Sequence, residues 1–327
     1  MQAIAIILAA GMSTRMKSKR PKPLHEICGR PMLDYVLRAC RDAGCSRVAV
    51  VVGHGKDEVV GQFASDARLT FIEQTQRLGT GHAVMACEAE LRKAHGDAFI
   101  LAGDGPLIRG QVLRTLLEAH RHERADASMA TAVLDDPTGY GRIVRDDQGR
   151  FLDIVEQADC TPEQREIREV FPSYYCVKIE ALLWALGKLT NQNKKNEYYL
   201  TDIFGHLRRA GRKVLALQAV AAEDVLSVNT RQQLAEVDAV MQERIQRAHR
   251  EAGVTVVSPA GAYIEDGVTI GADTIIQPFV FVGRGSVIGA DCVIGPFTSL
   301  PRESVVPDGT TITGSVPTEA VLSSPAE

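Results

Sequence analysis

Apolar residues in the first third of the chain form short unbroken runs, separated by segments with helical spacing. Ile4–Leu8 is continuously apolar, as expected of a strand buried on both faces. Arg47–Val52 and Ala98–Ala102 show a similar pattern, while the spacing within Met32–Cys40 and Gln111–Arg121 predicts helices. This alternation predicts an α/β fold with a doubly wound, Rossmann-like, mostly parallel sheet.

The pattern changes in the middle of the chain. Gly141–Arg145 and Phe151–Glu156 predict a hairpin, and helices are expected at Ala83–Arg92 and Tyr198–Arg209. Arg231–Glu251 predicts one long polar helix, with apolar residues along one side only.

The last region has a period of six residues. Nine aliphatic residues recur at this interval without a gap: Ile264, Ile270, Ile276, Val282, Ile288, Ile294, Leu300, Val306 and Ile312. This hexapeptide repeat is typical of a parallel β-helix, in which each repeated aliphatic points inward. We therefore predict an α/β domain over 1–229, a linker helix over 230–251, a short β-helix over 252–316 and a disordered tail over 317–327.

Composition limits the classes of protein to consider. The 327 residues carry a net charge of −4, which argues against general nucleic-acid binding. The seven cysteines include no C-x-x-C pair, which favours free thiols in a reducing compartment. No stretch approaches the roughly 20 apolar residues of a membrane span, and we see no signal-peptide pattern. We expect a cytoplasmic protein without a membrane or nucleic-acid partner.

The end of the first strand carries the most suggestive chemistry. Ala9-Ala10-Gly11 lets a ligand approach the backbone closely, and five cations follow within the next eleven residues: Arg15, Lys17, Lys19, Arg20 and Lys22. A small-residue turn at the carboxyl end of a strand, followed by cations, suits a polyphosphate. A tight turn followed by a solvated basic loop is the alternative.

The motif L-A-A-G-x-x-T-R-M, followed by Pro21-Lys22, resembles the signature of nucleoside-diphosphate-sugar pyrophosphorylases. The closer resemblance is to the N-terminal half of the bifunctional N-acetylglucosamine-1-phosphate uridylyltransferase/glucosamine-1-phosphate acetyltransferase family, with a truncated β-helix. It covers about residues 1–316, and further matching segments are Gln74 with Leu78–Ala83, Gly103-Asp104, Asp135–Ile143, Ile154–Glu156, Asn196–Asp202 and Val228-Asn229.

The resemblance implies a Mg²⁺-dependent enzyme that condenses UTP with N-acetylglucosamine-1-phosphate, on a nucleotidyltransferase domain followed by a short left-handed parallel β-helix. It also implies roles for individual residues. The catalytic residues would be Arg15 and Lys22, the metal ligands Asp104 and Asn229, the sugar contacts Gly141 and Glu156, and the nucleotide contacts Leu8, Ala9, Ala10, Gly11, Gln74, Gly79, Thr80 and Gly103.

Several of these residues have simpler alternative interpretations. Asp104 could be a turn residue, since loop aspartates commonly serve that purpose. Asn229 could cap the helix that follows it. Lys22 could be a surface lysine, and Glu156 an exposed carboxylate at a strand end.

Two departures from the family pattern bear on the substrate. Phe171 stands where the family carries an asparagine that contacts the sugar, and losing such a hydrogen bond costs about 1–3 kcal/mol. N-acetylglucosamine-1-phosphate is the expected acceptor, and galactosamine or plain hexose phosphates remain open. Ala102 replaces the family's tyrosine before Gly-Asp.

The β-helix is shorter than in the bifunctional enzymes, and no His or Lys follows His249. We expect no acetyl transfer, because that reaction needs a general base. The β-helix is expected to support a homo-oligomer, plausibly a trimer. Two alternatives remain open: the same fold acting on another base or sugar, and a catalytically weak sensing or scaffold protein.

Overall fold

The computed structural model describes residues 3–12 and 14–314. The tail predicted over 317–327 lies outside these residues. The chain divides into two compact units. The first contains the residues up to His25 together with Met32–Thr230, and the second contains Glu26–Pro31 together with the chain from Arg231 onward. No sequence pattern indicated that Glu26–Pro31 groups with the C-terminal unit.

Eleven strands precede the hexapeptide region in the described residues. They are β1 (Ile4–Leu8), β2 (Glu26–Ile27), β3 (Arg30–Pro31), β4 (Val48–Val52), β5 (Leu69–Glu73), β6 (Asp97–Ala102), β7 (Ala127–Val133), β8 (Gly141–Arg145), β9 (Phe151–Val155), β10 (Glu169–Lys178) and β11 (Val214–Gln218). The helices are α1 (Met32–Asp42), α2 (Lys56–Phe63), α3 (Thr80–Met85), α4 (Glu88–Leu91), α5 (Gly110–His122), α6 (Pro162–Arg165), α7 (Ile179–Leu186), α8 (Asp202–Arg209) and α9 (Arg231–Glu251).

The first unit is built on one sheet with the order β11-β7-β10-β6-β1-β4-β5, and β8 and β9 form a hairpin beside β10. Strand β1 runs parallel to β4 on one side and to β6 on the other. Strand β10 runs antiparallel to β6 and β7, so the sheet is mixed. The predicted α/β fold class is confirmed, and β1 lies near the middle of the sheet with its side chains buried in the cores on both faces.

Two predicted helices are shorter than expected. The segment Ala83–Arg92 is interrupted, because α3 and α4 are separate helices. The helix expected from Tyr198 begins only at Asp202, because the Tyr198 backbone bonds elsewhere: its N–H donates to the Leu78 carbonyl at 2.7 Å, and its own carbonyl accepts from Gly81 at 2.8 Å.

The hexapeptide region forms a parallel β-helix. Its ten strands are two residues long each and stack in three parallel sheets. Eight of the nine repeated aliphatic residues are buried, and Ile312, in the last coil described, is partly buried. The predicted inward position of the repeat is therefore confirmed.

All seven cysteines are free and buried. Burial raises the pKa of the Cys87 thiol to about 12. In the part of the chain that the structure describes, no helix is both long and apolar enough to cross a bilayer.

Candidate functional site

The carboxyl ends of β1 and β6 lie side by side. Leu8 pairs with Ala102 in the parallel ladder, and the Gly103 N–H donates to the Leu8 carbonyl at 2.9 Å. A Cβ on Gly103 would lie 3.0 Å from that same carbonyl oxygen, so the close approach favours glycine. These two strand ends bring the loop after Leu8 and the residue Asp104 to one edge of the sheet.

Lys22 is the centre of a polar network at this edge. Its Nζ lies 2.5 Å from Asp104 Oδ2 and donates to Asn229 Oδ1 at 2.8 Å. Arg15 Nη2 donates to the same Asn229 oxygen at 3.0 Å. The Lys22 side chain is only 12% exposed, so protein oxygens replace most of its hydration. The structure thus brings together four predicted site residues from three distant parts of the chain.

Asn229 reaches this network through the backbone beside it. The Val228 N–H donates to the Asp104 carbonyl at 3.0 Å, which fixes the segment before α9 next to the end of β6. Asn229 Oδ1 accepts from two cationic side chains. Asp104 Oδ2 and Asn229 Oδ1 therefore both face the Lys22 ammonium group. Both atoms are hard oxygen donors of the kind that Mg²⁺ prefers.

Two adjoining cavities open beside the network. One, of about 400 Å³, is lined by Arg15, Lys22, Asp104 and Asn229 among others. The other has a volume of about 390 Å³. Leu8, Gly11 and Arg77 line both cavities, Ala9 and Gly103 line the first, and Ala10, Gln74, Gly79 and Thr80 line the second. All the predicted nucleotide contacts thus border one crevice.

Hydrogen bonds and a close backbone approach fix the part of the second cavity's wall that contains Gln74, Gly79 and Thr80. Gln74 is buried, and its Nε2 donates to the Gly79 carbonyl at 3.1 Å. Gly79 has φ +106, and a Cβ there would lie 2.6 Å from the Tyr198 carbonyl oxygen. The Thr80 hydroxyl oxygen accepts from the Leu200 N–H at 3.1 Å. Only glycine fits at position 79 without displacing the 198–200 segment.

The predicted sugar contacts lie next to each other but outside the walls described for these two cavities. A Cβ on Gly141 would lie 3.9 Å from Glu156 Oε2. The Thr201 hydroxyl donates to Glu156 Oε1 at 3.1 Å, and burial raises the pKa of the Glu156 carboxyl above its ordinary value. Glu156 is therefore a held, largely buried carboxylate rather than a solvated strand end.

Phe171 turns into the core. It pairs with Gly141 across the sheet, and its ring centroid lies 4.3 Å from that of Tyr175. Only 5% of Phe171 is exposed. Position 171 therefore provides packing here, while Ser173, with φ +67, and Tyr175 line the second cavity.

Sequence reasoning missed several residues that line the crevice. Arg77 is an exposed cation that borders both cavities, and Ser173 and Tyr175 border the second. Arg77 is a single charged loop residue and belongs to no periodic pattern. Only its position between Gln74 and Gly79 in the sequence could have indicated that it borders the site.

A larger cavity of about 710 Å³ lies at the opposite end of β6. Its walls include Asp97. Asp97 Oδ2 lies 2.8 Å from Arg121 Nε, and Asp97 Oδ1 lies 3.3 Å from His120 Nε2. It contains none of the predicted site residues, so the candidate site is the crevice at the carboxyl edge.

Two regions of the chain match known family models. Residues 5–170 match the model described as MobA-like NTP transferase domain. Residues 267–302 match the bacterial transferase hexapeptide (six repeats) model.

Curated relatives align with most of this chain and are longer than it. The chain is similar to the bifunctional protein GlmU of Alkaliphilus metalliredigens, with 45% identity over 86% of this chain and 61% of the relative. The GlmU of Brevibacillus brevis is 44% identical over 85% of this chain and 60% of the relative. The resemblance drawn from the motifs is therefore confirmed, and the chain spans about three fifths of the length of these relatives.

A solved structure shares the fold. It is described as a UDP-glucose pyrophosphorylase complexed with UDP-glucose, with a TM-score of 0.60 and 17% identity. The match covers 75% of this chain and 100% of that one.

Proposed function

Because the chain belongs to the MobA-like NTP transferase domain family, we propose that it is a sugar-1-phosphate nucleotidyltransferase. The proposed reaction condenses UTP with N-acetylglucosamine-1-phosphate to give UDP-N-acetylglucosamine and pyrophosphate. The observation that carries this proposal is the network of Lys22, Arg15, Asp104 and Asn229 at the carboxyl edge. It combines two cations for phosphate oxygens with two oxygens for a metal ion, as phosphoryl transfer needs.

The proposed chemistry is an in-line displacement. An oxygen of the sugar phosphate attacks the α-phosphorus of UTP, and the bond to the oxygen that bridges the α- and β-phosphates breaks as pyrophosphate leaves. Arg15 would bind the leaving β- and γ-phosphates. Lys22 would neutralise charge on the reacting phosphates, and its low exposure makes that charge worth more than in water. Positioning supplies most of the rest.

The nucleotide would lie along the crevice. Backbone groups of Leu8–Gly11 and Gly103 would approach the nucleotide closely, and Gln74, Gly79 and Thr80 would recognise the uracil edge. The support for this assignment is that these residues share adjoining cavity walls.

Asp104 and Asn229 would hold Mg²⁺, whose charge offsets that of the phosphates when it is bound. Among the described residues, no group of three or more His, Cys, Asp or Glu side chains could hold a metal. Two protein oxygens fit Mg²⁺ nevertheless, because it usually takes one or two carboxylates together with substrate phosphates and water.

Gly141 and Glu156 would contact the sugar, with the carboxylate accepting from ring hydroxyls. Phe171 supplies no amide at this side of the sheet, since its ring is in the core. This observation favours a second candidate acceptor, a galactosamine or plain hexose 1-phosphate, in the same reaction.

Pyrophosphate release measured across nucleotides and sugar phosphates tests the proposal. We expect turnover with UTP and N-acetylglucosamine-1-phosphate. Preference for another sugar phosphate would support the second acceptor. Absence of release with every pair, from a chain shown to be folded by circular dichroism, would contradict the enzymatic proposal and favour a sensing or scaffold role.

We further propose that this chain does not transfer acetyl groups, since no His or Lys follows His249 in its β-helix. Release of free CoA from acetyl-CoA with glucosamine-1-phosphate would contradict this.

The proposed assembly is a homo-oligomer, plausibly a trimer. Phe279 and Phe297 stack on the β-helix surface with centroids 5.2 Å apart, and they are 61% and 68% exposed. Such exposed apolar residues support self-association. Sedimentation equilibrium measures the mass, and a monomer at micromolar concentration would contradict the assembly.

A further inference from the structure

Two site residues lie just before the points where the chain passes from one unit to the other. Lys22 precedes the first passage, which follows His25, and Asn229 precedes the second, which follows Thr230. The next segments along the chain, the β2–β3 hairpin and helix α9, both belong to the C-terminal unit.

Within the first unit the connection from Lys22 to the hairpin is short and ordered. The Lys22 carbonyl accepts from the His25 N–H at 3.2 Å, and the His25 carbonyl accepts from the Met32 N–H at 2.9 Å. Lys22 is also hydrogen-bonded to Asn229 through its Nζ. A displacement of either passage would therefore act on the Lys22–Asn229 pair.

Within the C-terminal unit, the β2–β3 hairpin and helix α9 are hydrogen-bonded to each other. The Cys28 N–H of the hairpin donates to Asp238 Oδ1 of α9 at 2.8 Å. The Tyr263 hydroxyl donates to the same carboxylate, at 2.9 Å to Oδ1 and 3.1 Å to Oδ2. Cys28 is buried and takes the left-handed φ of +45, which a non-glycine residue adopts only when its surroundings hold it there. Asp238 thus ties the hairpin turn to the helix.

We propose that Asp238 is a positioning residue for the site. Asp238 holds the hairpin that follows Lys22 against the helix that follows Asn229. The same two stretches of chain are therefore joined at two points, by the Asp238 contacts and by the Lys22–Asn229 hydrogen bond. The inference rests on the proposed function for its effect on turnover, whereas its effect on the order of the Lys22 segment does not depend on any activity. Small displacements of positioned groups are costly in such reactions, where a shift of about 1 Å can reduce the rate about 10²-fold.

The experiment compares Asp238→Ala, Asp238→Asn and Glu236→Ala in the full chain. Asp238→Asn keeps an Oδ1 acceptor for the Cys28 N–H, and Glu236 is an exposed carboxylate two residues earlier on α9. Hydrogen exchange of the peptide covering residues 15–31 is measured first, without ligand. We expect at least about tenfold faster exchange in Asp238→Ala, and wild-type exchange in Asp238→Asn and Glu236→Ala.

Turnover is measured second. We expect kcat for pyrophosphate release to fall about tenfold in Asp238→Ala with a smaller change in the KM for the sugar phosphate, and to recover in Asp238→Asn. A loss of kcat that Asp238→Asn does not rescue would overturn the positioning role, as would unchanged exchange in Asp238→Ala.

If Asp238→Ala does not fold, Tyr263→Phe takes its place. It removes one donor to Asp238 and leaves the Cys28 bond, so a smaller increase in exchange of the same peptide is expected, and unchanged exchange would again contradict the inference. A wild-type chain without turnover would contradict the proposed function alone, because the exchange comparison stands without it.

Discussion

The sheet of the first unit and the β-helix of the second use strands in opposite ways. The strands of the sheet are five to ten residues long, and no sequence repeat relates them. The β-helix instead uses two-residue strands that follow a six-residue sequence repeat. From Tyr263 onward, each paired β-helix strand lies eighteen residues from its partner, for example Ile276 with Ile294. In contrast, β1 pairs with β6 from a distant part of the chain. The candidate chemistry lies where the non-repeating strands end.

The difference teaches that regularity and chemistry occupy separate parts of this molecule. A repeat places equivalent side chains in equivalent surroundings, so it stabilises each coil through its neighbours. A reaction centre needs unlike groups at one point, and here Lys22, Asp104 and Asn229 meet only because strands and loops from distant positions converge. The predictions below test this division.

The largest effect is expected from Lys22→Ala. Removing the ammonium group leaves charge on the reacting phosphates without a partner, and we expect kcat for pyrophosphate release to fall about 10³-fold. The melting temperature should change little by comparison. Lys19→Ala, at an exposed lysine of the same loop, is the control and should retain turnover. Equal turnover in Lys22→Ala and wild type would remove Lys22 from the catalytic role.

Next in size is the loss of stability in Ile288→Ala. Ile288 is an inward residue with 1% exposure, and truncating a buried isoleucine costs about 3 kcal/mol. Its neighbour Val287 points outward and is 47% exposed, so Val287→Ala should cost well under 1 kcal/mol. Urea unfolding followed by circular dichroism measures both. Similar costs at the two positions would show that the repeat does not separate inward from outward residues.

A smaller effect is expected from Gly79→Ala. The added Cβ meets the Tyr198 carbonyl and the left-handed φ is strained, so we expect a loss of about 2 kcal/mol. Gly149→Ala has a similar positive φ and open space around it, and it should cost about 1 kcal/mol. Calorimetry of UTP binding should also show weaker affinity for Gly79→Ala alone. Unchanged stability and unchanged UTP affinity in Gly79→Ala would show that glycine is not required at position 79 for the second cavity.

The smallest effect concerns pH. Burial, followed by the nearby charges of Asp153 and Glu156, raises the pKa of Asp202 to about 6. The folded state therefore holds a proton that the unfolded state releases near pH 4, and stability falls as the pH rises from about 4 through 6. Relative to Asp202→Asn, the wild type should lose about 1 kcal/mol across this window, after allowance for partial exposure.

Urea midpoints at pH 3, 4.5, 6 and 7.5 measure this difference. Asp146→Asn is the control of opposite sign, because backbone N–H groups of Arg150 and Gln148 and the Arg150 side chain lower the pKa of Asp146. Wild type should gain stability over that variant as the pH rises from the folded pKa of Asp146 towards its unfolded value. A flat difference for Asp202→Asn would show that its carboxyl titrates normally.

The repeat and the buried parallel strands were the most predictable parts of the fold. A continuous apolar run such as Ile4–Leu8 has one stable environment, and a six-residue aliphatic period has one architecture. The interruption between α3 and α4 could not be predicted from local apolar spacing. The late start of α8 depends on Tyr198 bonding to Leu78 and Gly81, which only tertiary structure decides.

The candidate site divides along the same line. Motif residues with a distinct chemistry, such as Lys22 and Asp104, were predictable from the sequence. Arg77 and Tyr175 were not, because nothing in their spacing separates a crevice wall from an ordinary loop or strand. The membership of Glu26–Pro31 in the C-terminal unit depends on partners far along the chain, among them Asp238 and Asp266.

The burial of all seven thiols has a practical outcome for spectroscopy. Alkylating reagents attack the thiolate and must reach the sulfur, so burial slows their reaction with all seven thiols. Burial also raises the pKa of Cys28 and Cys87 to about 12, which keeps their thiolates scarce at neutral pH. A cysteine introduced at an exposed position will accordingly take up a maleimide fluorophore far faster than the native ones. Dye pairs can thus be installed on this chain without first clearing its own sulfhydryls, and the distance between labels can be followed while nucleotide is added.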